Sequence, residues 1–208
     1  MIPTKIECED LMKAYFMLNN IINHSLKVKE IGLYVTEKLN QRGYKFNKEI
    51  VQAACLLHDI TKTYHIYWDI ANKGECKILS PPTSFTEKDV MNKFETIAKK
   101  VNFKGDTPHE ISAKLLLDFE GYPKIGDIVR LHASSDVNHL SYEGILCYSD
   151  RHVLHENVVS FDQRFSYVLK RYFKSKEKLN NFKNKTKELA KSLETKGDFT
   201  FEQLRREL

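Results

Sequence analysis

The chain has 208 residues, of which 41% are hydrophobic and 29% charged, and it carries a formal net charge of +5. That length and balance suit one globular domain with an appendage, and they exclude a disordered or membrane-embedded chain. The N-terminus has acids and a proline where a signal peptide needs an apolar core, and no apolar run of about 18 residues occurs, so a cytoplasmic protein with no membrane partner is expected.

Apolar residues recur at three- and four-residue steps almost throughout, and no alternating run marks a strand, which predicts an all-α fold. A first helix is expected from Glu9 to Leu18 and a second from Ile21 to Asn40, with Val28, Ile31, Val35 and Leu39 on one stripe and His24 one turn before them. Arg42-Gly43-Tyr44 reads as a turn. A third helix from about Asn47 then stacks Ile50, Ala54, Leu57 and His58 on its inner side.

The stretch 63–107, with Gly74, Pro81, Pro82 and Gly105, reads as an insertion or lid enclosing one helix near Glu87–Lys100. A helix opening at Pro108 carries His109, Ala113 and Leu116 inward until Gly121-Tyr122-Pro123 breaks it. The next runs to His132, with Ile125, Ile128 and Val129 on the same face. Another covers Tyr142–Arg151 and sets Asp150 beside Leu146 and Cys147. A helix from Phe161 has Phe161, Phe165, Val168, Leu169 and Tyr172 as its inner face, and residues 175–208 are expected to form a peripheral helical extension to a 1–174 domain.

The lysine-rich end, from Lys170 to Lys191, is interleaved with acids and reads as a solvated helix face, not a nucleic-acid surface. Cys8, Cys55, Cys76 and Cys147 form no C-x-x-C pair, so reduced thiols are expected. His139, His152 and His155 are expected at the surface. His65, Tyr67 and Trp68 read either as core or as a cover for a site.

Four inward histidines and two acids on otherwise apolar faces need an explanation, because a buried unpaired charge costs several kcal/mol. A shared divalent metal within a helical bundle would supply it. The pair His58-Asp59 is central, since neighbouring residues at a helix end splay by about 100° and both can reach an ion lying off that end.

The order His24 in HSLKV, His58-Asp59 in AACLLHDITK, His109 in HEISAKLLL, His132 in IVRLHAS and Asp150 in ILCYSDRHVLHENVVSFDQRFSYVLKRY resembles the HD superfamily of metal-dependent phosphohydrolases over most of residues 1–173. The resemblance implies that His24, His58, Asp59 and Asp150 ligate a first metal, that Asp59 bridges to a second, and that His109 and His132 match the extra positions of two-metal members. One or two ions of Fe, Mn, Co, Ni or Zn are implied, with hydrolysis of a phosphate ester of a nucleotide or similar small molecule by metal-activated water.

Lys62 matches a lysine that holds phosphate in several HD enzymes, or is a surface lysine. Arg151 stands where the family often has a basic residue, and would clamp phosphate or pair with an acid. Alternatives are a dinucleoside polyphosphate hydrolase and, from another class, a silent HD module that binds a nucleotide or a partner protein. The chain departs from the pattern at Thr61, where many relatives have glycine, at Ser149, often alanine, and in the long 63–107 segment. Gly121-Tyr122-Pro123 lacks the setting of the cyclic-di-GMP phosphodiesterase signature.

Overall fold

The computed structural model describes residues 1–66, 86–99, 107–133, 137, 139–172 and 176–208. Its elements are α1 (Lys5–Ala14), α2 (Asn19–Gln41), α3 (Lys48–Leu57), α4 (residues 62–66), α5 (Glu87–Ala98), α6 (Pro108–Asp118), α7 (Pro123–His132), α8 (Tyr142–Arg151), β1 (Val153–Leu154), β2 (Asn157–Val158), α9 (Phe161–Tyr172), α10 (Lys176–Gly197) and α11 (Phe201–Glu207). Among the described residues the fold is all-α apart from one small antiparallel hairpin, β1–β2.

Helix starts are written locally. Thr4, Thr86, Thr107 and Thr200 each form a capping box with the acid or glutamine three residues on, which satisfies otherwise orphaned N–H groups. Asn47 and Ser141 cap α3 and α8 with their side chains alone. Between α6 and α7 the chain turns at Gly121, whose φ of 73° lies in the left-handed region that glycine adopts without penalty. Pro123 then opens α7 at a position that needs no N–H.

The expected inward stripe of α2 is buried, from Ile21 and His24 through Val28, Ile31, Val35 and Leu39. It packs on α3 and α8, while α6 pairs with α7 and that pair docks on α3 and α8. At Gly32 an added Cβ would stand 2.8 Å from Cys55 Sγ and 3.0 Å from Val51 Cγ1, so a missing side chain is what lets α2 and α3 approach. The result is a bundle whose inner helices α2, α3, α6, α7 and α8 each carry one or two of the six singled-out residues.

The structure differs from the sequence expectations in four places. The first helix starts at Lys5 and ends at Ala14, not Leu18, because the Thr4 box fixes its start and Phe16, at φ 52°, breaks the chain. A hairpin follows α8 where no strand was expected. His152 is not at the surface: it is buried, sandwiched between Phe161 and Phe201, with Nδ1 bound to Val159 O at 2.9 Å. The C-terminal segment is also less peripheral than expected, since Leu189, Ala190, Leu193, Phe199 and Leu204 are buried and α10 packs on α2 and α8. Gly74, Pro81, Pro82, Gly105, Cys76, Tyr67 and Trp68, and with them most of the expected insertion, lie outside the described residues; within it, α5 forms and buries Val90 and Ile97.

Candidate metal centre

His24 projects from the second turn of α2, and His58 and Asp59 occupy the cap and the following turn of α3. His109 lies in the first turn of α6, His132 is the last residue of α7, and Asp150 is the penultimate residue of α8. All six meet. His24 Nε2 is 3.0 Å from Asp150 Oδ1 and 4.0 Å from Asp59 Oδ2. His58 Nε2 is 3.6 Å from Asp59 Oδ2 and 3.7 Å from Asp150 Oδ1. On the other side, His109 Nδ1 is 3.7 Å from Asp59 Oδ1, and the His132 ring lies 4.6 Å from that of His109 and 5.7 Å from that of His58.

Three of the four imidazoles are oriented by main-chain carbonyls. His58 Nδ1 donates to Cys55 O at 2.8 Å, His132 Nδ1 to Val129 O at 2.6 Å, and His24 Nδ1 to His155 O at 3.3 Å. Committing Nδ1–H to a carbonyl leaves the lone pair on Nε2, the nitrogen that faces the cluster in each. Two of these bonds come from a helix's own last turn. The third comes from the hairpin between β1 and β2, where His155 adopts a φ of 59°.

The electrostatics follow from burial working against charge. Burial would raise Asp59, but Lys62, His58, His109 and His24 hold its carboxyl far below the usual carboxylate range. Burial opposes ionisation of Asp150 too, and the hydrogen bond from His24, the nearby His58 ring and the Arg164 charge overcome it. His132 is pushed well below the ordinary imidazole value by burial and then by the neighbouring His109 and His58, and burial also lowers His24 and His109. His58 goes the other way: burial lowers it, but Asp59 and Asp150 outweigh that and raise it.

The HD domain family model matches residues 21–153, well over half of the chain. The chain belongs to the HD domain family. No solved structure matches it. HD domains are all-α, bind divalent metals and are generally metal-dependent hydrolases of the phosphohydrolase superfamily, and the matched span runs from just before His24 to just after Asp150.

The donor atoms of this HD domain fit such an ion. His24, His58 and Asp59 each offer one ligand atom, all within 4.8 Å of one another. His58 Nε2, Asp59 Oδ1, His109 Nδ1 and His132 Nε2 are buried without a hydrogen-bond partner, a set of lone pairs that is costly unless a cation accepts them. Imidazole nitrogen with carboxylate oxygen suits a first-row transition metal.

Of the residues outside the donor set, Lys62 joins the cluster, with Nζ 2.5 Å from Asp59 Oδ2 and its side chain 36% exposed. Arg151 does not. Its guanidinium donates to Thr186 Oγ1 and lies 4.2 Å over the Phe182 ring, both on α10, so the expected phosphate clamp is corrected: one residue past Asp150 the helix has turned the side chain away.

Sequence reasoning missed Arg164 of α9, whose Nη2 is 3.8 Å from Asp150 Oδ1. It also missed Thr61, whose hydroxyl bonds Pro108 O at 3.2 Å and Ser112 Oγ at 2.8 Å and so ties the HD turn to the helix that carries His109. The departure from glycine at that position was the available signal. Arg164 lies inside the motif quoted around Asp150, but no helical spacing ties it to that acid, because a hairpin separates the two helices.

Proposed function

We propose that this HD domain hydrolyses a phosphate ester of a nucleotide or similar small molecule at the six-residue cluster, using two divalent ions held by His24, His58, Asp59, His109, His132 and Asp150. What carries the reading is the convergence of six imidazole and carboxylate side chains from five helices and their ends, four of which bury a donor atom with no hydrogen-bond partner. Two ions are favoured because Asp59 divides its carboxylate, with Oδ2 toward His24 and His58 and Oδ1 toward His109.

When bound, such ions supply a water acidic enough to be hydroxide near neutral pH and neutralise phosphate oxygens. The chain's own residues do the rest. The main-chain carbonyls fix which nitrogen each of three imidazoles presents, so the donors are held in place before substrate arrives. Lys62 is exposed enough to meet a phosphate oxygen while anchored to Asp59, and it carries charge because the acids raise its affinity for a proton above what burial takes away. A cytoplasmic setting belongs to the same reading, and the free thiols of Cys8, Cys55 and Cys147 suit a reducing compartment.

The test is elemental analysis of the purified protein, followed by a manganese-supplemented screen of nucleoside monophosphates beside a dinucleoside polyphosphate, with wild type and Asp59→Ala in parallel. Asp59→Ala should lose metal and hydrolysis together. Turnover unchanged in that variant, or metal-replete wild type inert toward every phosphate ester, would sink the proposal, the latter in favour of a silent binding module.

A further inference from the structure

The cluster ends, in the direction of the C-terminus, at a residue that the family match does not include. Arg164 lies on α9, beyond residue 153, with its side chain 19% exposed. Its guanidinium approaches Asp150 at 3.8 Å, which is beyond hydrogen-bond length, so the contact is electrostatic and leaves the planar fork of donors uncommitted to that carboxylate. It is also close enough to Lys62 for the two cations to repel one another. Two cations therefore stand over the two acids of one metal centre, Lys62 by Asp59 and Arg164 by Asp150.

The placement of Arg164 is built, not incidental. Two residues before it, Asp162 pairs with Lys183 of α10 at 2.6 Å and with Lys187 at 3.8 Å. One residue after it, Phe165 is buried and meets Phe182 edge-on at 5.6 Å. At the start of the helix, Phe161 packs on His152. The first turn of α9 is thus pinned on both sides of Arg164, and part of the lysine-rich tail serves as the counter-charge that pins it.

We propose that Arg164 is a substrate-binding residue of this site, supplied by the C-terminal helices, which engages the phosphate of a nucleotide-like ligand opposite Lys62. The assignment rests on the phosphate-ester reading of the centre. Its physical content is that a guanidinium offers paired N–H donors to phosphate oxygens, where lysine offers a single point charge. Together the two cations match a dianionic terminal phosphate better than a singly charged diester, so the site is assigned a preference for monoester ends.

The test reads binding as well as turnover. Metal-loaded wild type, Arg164→Gln, Arg164→Lys and Lys45→Gln are titrated with inorganic phosphate by calorimetry, and each variant's metal content and melting temperature are measured. Arg164→Gln should keep its metal and weaken phosphate about 10–100-fold, the range for a lost charge-assisted hydrogen bond. Arg164→Lys should recover part of that. Lys45→Gln, which removes an exposed charge at the opposite end of α3 from Asp59, should change affinity less than about twofold.

If wild type turns over any phosphate ester, the loss in Arg164→Gln should fall on KM more than on kcat and be larger for monoesters than for diesters. Phosphate bound by Arg164→Gln as tightly as by wild type, or an equal loss in Lys45→Gln, overturns the assignment. Because phosphate binding is read without catalysis, an inert wild type would defeat the hydrolase reading while leaving the Arg164 assignment to be decided by the titration.

Discussion

Lys62 Nζ sits 2.5 Å from Asp59 Oδ2, the carboxylate oxygen that His24 and His58 also face. An ammonium there attracts phosphate and repels a metal cation at the same oxygen. The two effects separate in Lys62→Met, which keeps the aliphatic stem. Metal should be held at least as tightly as in wild type, while turnover falls about 10–100-fold through loss of one charge-assisted hydrogen bond. Competition with a chelator measures the first and steady-state kinetics the second. A variant that loses its metal would show that Lys62 organises the donors and does not hold substrate.

His132 enters the cluster only through its contacts with His109 and His58, on the side of Asp59 Oδ1. His132→Ala should therefore lower the metal content of the purified protein from two ions per chain to one, leaving the His24, His58 and Asp59 group occupied. Equal content in wild type and variant would count against the second ion.

Acidity should release metal. Cation and proton compete for the same imidazole lone pairs, so affinity falls as pH falls. His109 and His132, pushed down by burial, stay unprotonated and available at neutral pH, whereas His58, raised by Asp59 and Asp150, is the first to take up a proton. Dialysis at about pH 8 should leave metal in place and dialysis at about pH 5 should strip it, since the window spans the ordinary imidazole value. Metal content independent of pH across that window would place the ligands elsewhere.

Arg151 is buried and bound to Thr186 and Phe182, so Arg151→Ala should act on stability and not on chemistry. Removing it takes away the donor to the Thr186 hydroxyl, which still donates to Phe182 O, and uncovers an aromatic face, a loss of about 1–3 kcal/mol. The melting temperature should drop while kcat at a permissive temperature stays within about twofold of wild type, a change worth well under 1 kcal/mol. A kcat collapse with an unchanged melting curve would return Arg151 to the substrate.

The six donor candidates were legible because each is a polar residue on an apolar helical stripe, and the 3.6-residue period says which way it points. His58 and Asp59 stand at the end of such a stripe, but it was the order of the whole set and its resemblance to HD phosphohydrolases that implied a ligand role for them. The same period, applied one residue further along α8, points Arg151 away from the acid before it, so adjacency in sequence misled there.

Other features left no periodic trace. Two-residue strands are too short to alternate, which hid the hairpin that orients His24. The burial of His152 depends on Phe161 and Phe201 closing over it from distant parts of the chain. The tail did carry a signal, since Leu189, Ala190 and Leu193 stand one turn apart on α10, but it was diluted by the surrounding lysines.

His24 and Asp150 are 126 residues apart in the chain and 3.0 Å apart in space. His24, His58 and Asp59 come from the neighbouring α2 and α3 and can meet early in synthesis, whereas Asp150 joins them only after the long intervening stretch has left the ribosome. On the two-ion reading, a cation would be enclosed in two stages, first by those three side chains and then by Asp150 as α8 closes on α2.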